Sequence, residues 1–380
     1  MATIKSSPSE LAIHGGGPPA FASKIPVFTA NVGDGRRFAE LAEQMFVAGE
    51  PPGHLVSQFE AALAAWLGVR NIVGFSSLPA AFRCLQSSAG RNGEVMVPAF
   101  GSGAFCLEDK PTWVECEPTT YGMSPSQLAD RLREDSAAVL AIHPLGRPCM
   151  VEELGDLCDE WNVPLFIYGH QAFGCKYGGE KLGCFGEAEV FDLGRDQLVH
   201  ASDASIVATD NDLLAHRLRS IRTEKVDRID QGMGDAAAAM GIANLESAER
   251  FVDSNRVRYE TYREKLLDVP GVKLVRHGPE STYQSIAIEI DAGLAGLTRD
   301  ALHNVLSAEN VGTAKPLLDV QHPTPNTQHL NSVASRLASS LLQLPNGPAA
   351  TTEAIEAVCK LVELAIVRSL ESPDPIRLAA

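Results

Sequence analysis

Between residues 36 and 210, short runs of consecutive apolar and β-branched residues alternate with stretches whose apolar positions recur every three to four residues. The first rhythm belongs to strands buried on both faces and the second to amphipathic helices. Their alternation predicts βαβ units in a mainly parallel sheet. Seven runs read as strands: 71–75, 94–98, 112–115, 137–143, 164–168, 189–193 and 205–208. Helical spacing covers 37–67, ending at Gly68, and 79–88, where Pro79 sits in the first turn and its missing N–H costs nothing. Beyond Asp210 the pattern turns helical, with the longest helix predicted over 235–267, Ala-rich at 236–239 and charged along one face after that. Residues 272–275 and 285–290 read as strands, and 299–309 and 350–369 as helices. The expected fold class is α/β, with a large domain over 1–245 and a smaller C-terminal α+β domain over 246–380.

Composition narrows the chemistry. The chain has 380 residues, enough for two domains at roughly 150 residues each, and its 48 acidic against 32 basic residues give a net charge of −16. That charge repels nucleic acid and anionic membrane surfaces alike. No run of about 18 apolar residues could span a bilayer, and Met1 to Glu10 lacks an apolar leader core, so a cytoplasmic protein is expected. The eight cysteines are dispersed without a C-x-x-C, and the ten histidines without an H-x-x-x-H pair, so reduced structural thiols and no metal site are expected.

Doubly wound sheets bind ligands beyond the carboxyl ends of their strands. Those ends nominate Ser76 and Ser77, then 99–103 with Ser102, then His143, then Tyr168, His170 and Gln171, and finally 192–197 with Asp192, Arg195 and Gln197; His200 lies close by in sequence.

Several segments, in order, carry a likeness to a known family: Gly15-Gly16-Gly17-Pro18-Pro19, FEAALAAWLGV at 59–69, Val97-Pro98-Ala99-Phe100, and WVECEPTTYGMSP at 113–125. Ile142-His143-Pro144-Leu145-Gly146, Gln171-Ala172-Phe173-Gly174, Tyr177-Gly178-Gly179 and Leu342-Gln343-Leu344-Pro345 continue it. The chain resembles the DegT/DnrJ/StrS-type sugar aminotransferases, pyridoxal phosphate (PLP) enzymes of the type I aminotransferase fold, over nearly its whole length. The resemblance implies a type I PLP-aminotransferase-like fold with a mainly parallel seven-stranded sheet.

Position by position, the cofactor contacts that this resemblance implies are replaced. Gln197 stands where the Schiff-base lysine is expected, and an amide cannot form an imine. Tyr168 stands at the aspartate that pairs with the pyridine nitrogen. Ser77-Leu78-Pro79 replaces the Ser-Gly-Thr phosphate turn, Asp192 replaces a phosphate-binding serine, and Ser102 the ring-stacking aromatic. Asp230 and Gly232 fall where a partner subunit would donate Asn and Arg. No cofactor is therefore expected.

Two readings follow. In the first, the chain is a PLP-independent biosynthetic enzyme using His143, Tyr168, His170, Asp192 and Arg195 as acid/base groups, with Ser77, Ser102, Gln171, Gln197 and His200 lining the substrate. It would cyclise, dehydrate, isomerise or condense a sugar-like or other natural-product intermediate. Histidine titrates near neutral pH, and a tyrosine donates to a developing oxyanion. Asp192 in the vacated phosphate position favours an amine-bearing or neutral substrate. In the second reading the chain is a silent partner of an active homologous aminotransferase. Either way a dimer is expected, a homodimer or a heteromer with that homologue, because the small-residue helix around 236–242 calls for a partner surface.

Overall fold

A computed structural model describes residues 3–14, 17–47, 51–89, 93–101, 111–223, 231–315 and 332–371. The elements in chain order are α1 (Gly35–Gln44), α2 (His54–Leu67), β1 (Asn71–Phe75), α3 (Leu78–Ala89), β2 (Val95–Pro98), β3 (Thr112–Val114), α4 (Pro125–Ala129), β4 (Ala138–Ile142), α5 (Val151–Glu160) and β5 (Leu165–Tyr168). A two-residue hairpin pair follows, β6 (Lys176–Tyr177) and β7 (Glu180–Lys181), then β8 (Ala188–Asp192), β9 (Ser205–Thr209), α6 (Asp212–Thr223), α7 (Asp235–Leu245) and α8 (Ala248–Leu266). The C-terminal part holds β10 (Val272–Leu274), β11 (Ala287–Ile290), α9 (Ala292–Ala295), α10 (Arg299–Ala308), α11 (Val333–Ser340), β12 (Leu341–Gln343) and α12 (Thr352–Glu371).

All seven expected strands join one sheet in the order β1-β9-β8-β5-β4-β2-β3, and β10-β11-β12 form a second, antiparallel sheet. In the large sheet only β9 runs against its neighbours; the pairs from β8 to β3 are parallel. Buried strands with helices on both faces explain why the apolar runs were unbroken rather than alternating. The face carrying Val73, Val97, Leu140, Phe166 and Val190 is covered by Phe82 and Leu85 of α3. The opposite face, with Val139, Ala141 and Ile167, is covered by Leu154 and Cys158 of α5.

Three sequence expectations change. The helical spacing over 37–67 resolves into α1 and α2, because Pro51 and Pro52 interrupt the ladder. Gly53, at φ 85°, offers no capping side chain, and Asp235 supplies the cap from α7: its carboxylate accepts the amides of Gly53, Leu55 and Val56 at 2.8, 3.1 and 3.2 Å. The long helix over 235–267 is two helices that break at Glu246 and Ser247. Finally, the small residues of α7 serve their own chain. Ala238, Ala239, Ile242 and Ala243 are buried, and a Cβ on Gly241 would stand 2.3 Å from the Phe59 ring of α2. The surface around 236–242 that called for a partner is therefore largely an internal one.

The small sheet has a core of its own with α8, α10 and α12, and the N-terminal Leu11, Ala20 and Phe21 join it. Glu309, fully buried, holds that segment in place by accepting the amides of Ala12 and Ala20 at 2.6 and 2.7 Å. Among the described residues no helix is long and apolar enough to cross a membrane, and no three side chains are grouped to hold a metal ion.

Candidate functional site

Strand parity decides which polar side chains meet. Tyr168 ends β5 opposite Val190 of β8, and Asp192 ends β8 two residues later, so both side chains leave the sheet on the face covered by α3. Phe82 of α3 meets the Tyr168 ring edge-on at 5.9 Å. The Tyr168 hydroxyl lies 3.2 Å from His170 Nδ1. Across the antiparallel β8–β9 and β1–β9 pairs, Asp192, Ser205 and Phe75 form one row. Ser205 is fully buried, and its Oγ has no hydrogen-bond partner among the described residues.

The turn after β8 adds a second carboxylate. Gly194 N–H donates to Asp192 Oδ1 at 3.1 Å, and a Cβ on Gly194 would stand 3.2 Å from Asp192 Oδ2 and 3.4 Å from Asp196 Oδ1. The two carboxylates therefore converge over Gly194, where an added side chain would crowd both of them. Burial, and next the Asp196 charge, raise the Asp192 pKa to about 6, partly opposed by the Gly194 and Leu193 amides. Burial, reinforced by Asp192 and Asp196, holds the Tyr168 phenol well above its ordinary value, so the hydroxyl keeps its proton. An edge of His170 reaches the surface, yet burial pulls its pKa to about 4 against the Asp196 charge. That corrects the expectation of a histidine titrating near neutrality: His170 is neutral, and the group tuned toward pH 7 is Asp192.

Two of the five expected acid/base residues stand apart. His143 follows β4 and, by parity, faces the side of Ala141, Ile167 and Glu189, the opposite side of the sheet from Tyr168. It is fully buried, with Nε2 3.4 Å from Glu189 Oε2 and Nδ1 accepting the Cys149 amide at 3.1 Å. Burial disfavours a charged ring, but Cys149 and Glu189 together outweigh it and lift the pKa to about 10. The accepting Nδ1 nevertheless describes a neutral ring with its proton on Nε2, since an imidazolium has no acceptor. Glu189 also accepts the Gly183 and Phe185 amides at 2.7 and 3.0 Å, so this pair fastens a loop. Arg195 is exposed in the turn after β8 and makes no hydrogen bond or ion pair with Tyr168, His170 or Asp192.

The expected substrate-lining residues also divide. Ser77 caps α3, its Oγ accepting the Ala80 amide at 3.4 Å. Gln171, at φ 58°, is buried and its Oε1 accepts from Gln343 of β12 at 3.0 Å, which ties the two sheets together. Gln197 is buried beside the acidic turn: its Oε1 accepts from Gln284 Nε2 at 2.7 Å and its Nε2 donates to Asp196 Oδ1 at 3.4 Å. His200 is half-buried, and its Nδ1 has no partner among the described residues. Ser102 and Asp230 lie outside the described residues; Gly232 bridges to Phe75.

Sequence reasoning missed Asp196, Ser205 and Gln284. Asp196 lay within the nominated 192–197 turn, and its acidity four residues after Asp192 was a usable signal. Ser205 opens a strand that reads as core, and only the antiparallel register places it across from Asp192.

Comparison with known proteins agrees with this architecture. Residues 38–363 match the model of the DegT/DnrJ/EryC1/StrS aminotransferase family. GDP-perosamine synthase of Vibrio cholerae is 24% identical over 334 residues, covering 82% of this chain and 90% of that protein. The crystal structure of DesI in the presence of its TDP-sugar product superposes with a TM-score of 0.88 at 31% identity, covering 95% of this chain and 97% of that one. The E. coli GDP-4-keto-6-deoxy-D-mannose-3-dehydratase with bound hydrated PLP shares the fold, with a TM-score of 0.77 at 17% identity and coverage of 90% and 100%. With a family match over most of its length and the expected mainly parallel seven-stranded sheet in place, this chain belongs to the DegT/DnrJ/EryC1/StrS aminotransferase family.

Proposed function

We propose that this family member is a cofactor-free enzyme performing acid/base chemistry on a sugar-like small molecule. The observation that carries the reading is the Tyr168–His170 hydrogen bond set beside two converging carboxylates on one face at the end of β5 and β8. Asp192, with its pKa near 6, exchanges a proton close to neutral pH. Tyr168, protonated throughout, donates to oxygen that gains negative charge, and neutral His170 orients it. The cyclisation, dehydration, isomerisation or condensation of a biosynthetic intermediate needs no more than these groups. GDP-perosamine synthase and DesI, the latter with a TDP-sugar product, support a sugar-like substrate.

The residues present do not fit PLP. The buried Gln197 amide, held by Gln284 and Asp196, offers no amine. At the start of α3, Pro79 has no N–H, and the Ala80 and Ala81 amides are already taken by Ser77 Oγ and Ser77 O. Asp192 and Asp196 would face a phosphate dianion with like charge.

The test has two parts. The purified chain should show no absorption band at roughly 330 to 420 nm that hydroxylamine removes, as expected of imine chemistry. Turnover of candidate pathway intermediates, followed by mass spectrometry, should fall roughly 10²-fold in Tyr168→Phe and in Asp192→Asn. A hydroxylamine-sensitive band, or turnover at the native rate in both variants, overturns the reading.

A further inference from the structure

We propose that Asp192, Asp196 and Ser205, at the carboxyl end of β8, form an ammonium subsite, so that the substrate carries a primary amine. The inference rests on the cofactor-free reading of this cleft and adds to it the chemical class of the group that enters. Three acceptors lie at this strand end. Asp192 and Asp196 present carboxylate oxygens over Gly194, which has no side chain to come between them. Ser205, across the strand pair from Asp192, is fully buried with an Oγ that has no partner among the described residues. An orphaned hydroxyl of this kind costs about 1–3 kcal/mol unless something enters to meet it.

Charge selects the occupant. Neither carboxylate forms an ion pair with a lysine or arginine among the described residues; the nearest basic residue in sequence, Arg195, is exposed. Two acidic side chains held together without a cation repel a phosphate or carboxylate. A neutral hydroxyl would leave their charge uncompensated. Ca2+ and Mg2+ need about six oxygen ligands, and no group of three side chains that could hold a metal ion is present among the described residues. A primary ammonium has one positive charge and three donors, which match two carboxylates and one hydroxyl. Seated there, its nitrogen touches the carboxylate best placed to accept a proton. Transfer breaks one N–H bond and forms one O–H bond, leaving a neutral amine on the substrate and a neutral acid on Asp192. The Tyr168 hydroxyl is alongside.

The experiment compares glucosamine with glucose, which differ by one amine for one hydroxyl, binding to the full-length protein at pH 7.5 in calorimetric or NMR titrations. Glucosamine should bind about tenfold tighter or better, as a charge-assisted contact predicts. Asp192→Asn and Ser205→Ala should each weaken glucosamine more than glucose and so narrow the gap between the two sugars; the serine variant removes only one buried oxygen. Equal binding of the two sugars, or glucosamine binding that survives both substitutions, overturns the subsite. PLP is titrated in parallel: if it binds, the cofactor-free reading falls as well, whereas no PLP binding together with equal sugar binding sinks the ammonium subsite alone.

Discussion

Replacing Asp192 with Asn should stabilise the protein at neutral pH and leave it unchanged in mild acid. Burial and Asp196 raise the folded-state pKa of Asp192 from 3.8 to about 6. Between those values the folded chain keeps a proton that the unfolded chain has lost. Stability therefore falls as pH rises through that window, and above it the full penalty of holding a buried carboxylate is present. A shift of about two pKa units corresponds to about 3 kcal/mol. Asparagine is nearly isosteric and neutral, and its side-chain oxygen can still accept the Gly194 amide that Asp192 Oδ1 accepts at 3.1 Å. Urea unfolding at pH 7.5 should show Asp192→Asn more stable by a few kcal/mol, and at pH 4 the two proteins should coincide. A variant equally shifted at both pH values would show that the gain is packing. A variant destabilised at pH 7.5 would mean that Asp192 has a cationic partner, and the argument for an ammonium subsite would fail with it. A stabilising substitution that lowers turnover is the signature of a site that gives up stability for function.

The pH profile of turnover should follow the same carboxylate, rising with pH through about 6 as Asp192 ionises; a profile set by a group near 4 would return the proton-transfer role to His170. Glu189→Ala should destabilise by about 3–5 kcal/mol in chemical denaturation, because it strands buried His143 and two amides. Turnover per folded molecule should change little, and a selective loss of activity at native stability would put His143 back in the site. Asp235→Ala should cost about 1–2 kcal/mol, the value of a helix cap, since it uncovers the amides of Gly53, Leu55 and Val56; Asp235→Asn should recover part of that loss in the same unfolding assay.

The chain's local pattern determined the strands and the class of fold. The seven sheet strands are short, largely apolar runs, most of them set between helical stretches, and burial on both faces leaves that mark in the sequence. The order of the family segments added the architecture, and reading the strand ends named Tyr168, His170 and Asp192. What it could not determine depends on distances between segments. Helix ends in α1, α2, α7 and α8 follow from caps and packing such as Asp235 on α2 and Gly241 under Phe59, which lie some 180 residues apart in the chain. Whether a strand-end residue joins the site depends on which face it leaves, and that excluded His143 while admitting Ser205, whose role exists only in the antiparallel register with Asp192. The titration order is also tertiary. Histidine is the neutral-pH group in water and aspartate the acidic one, but burial disfavours whichever form is charged. It lowers His170 and raises Asp192 until their usual order is reversed.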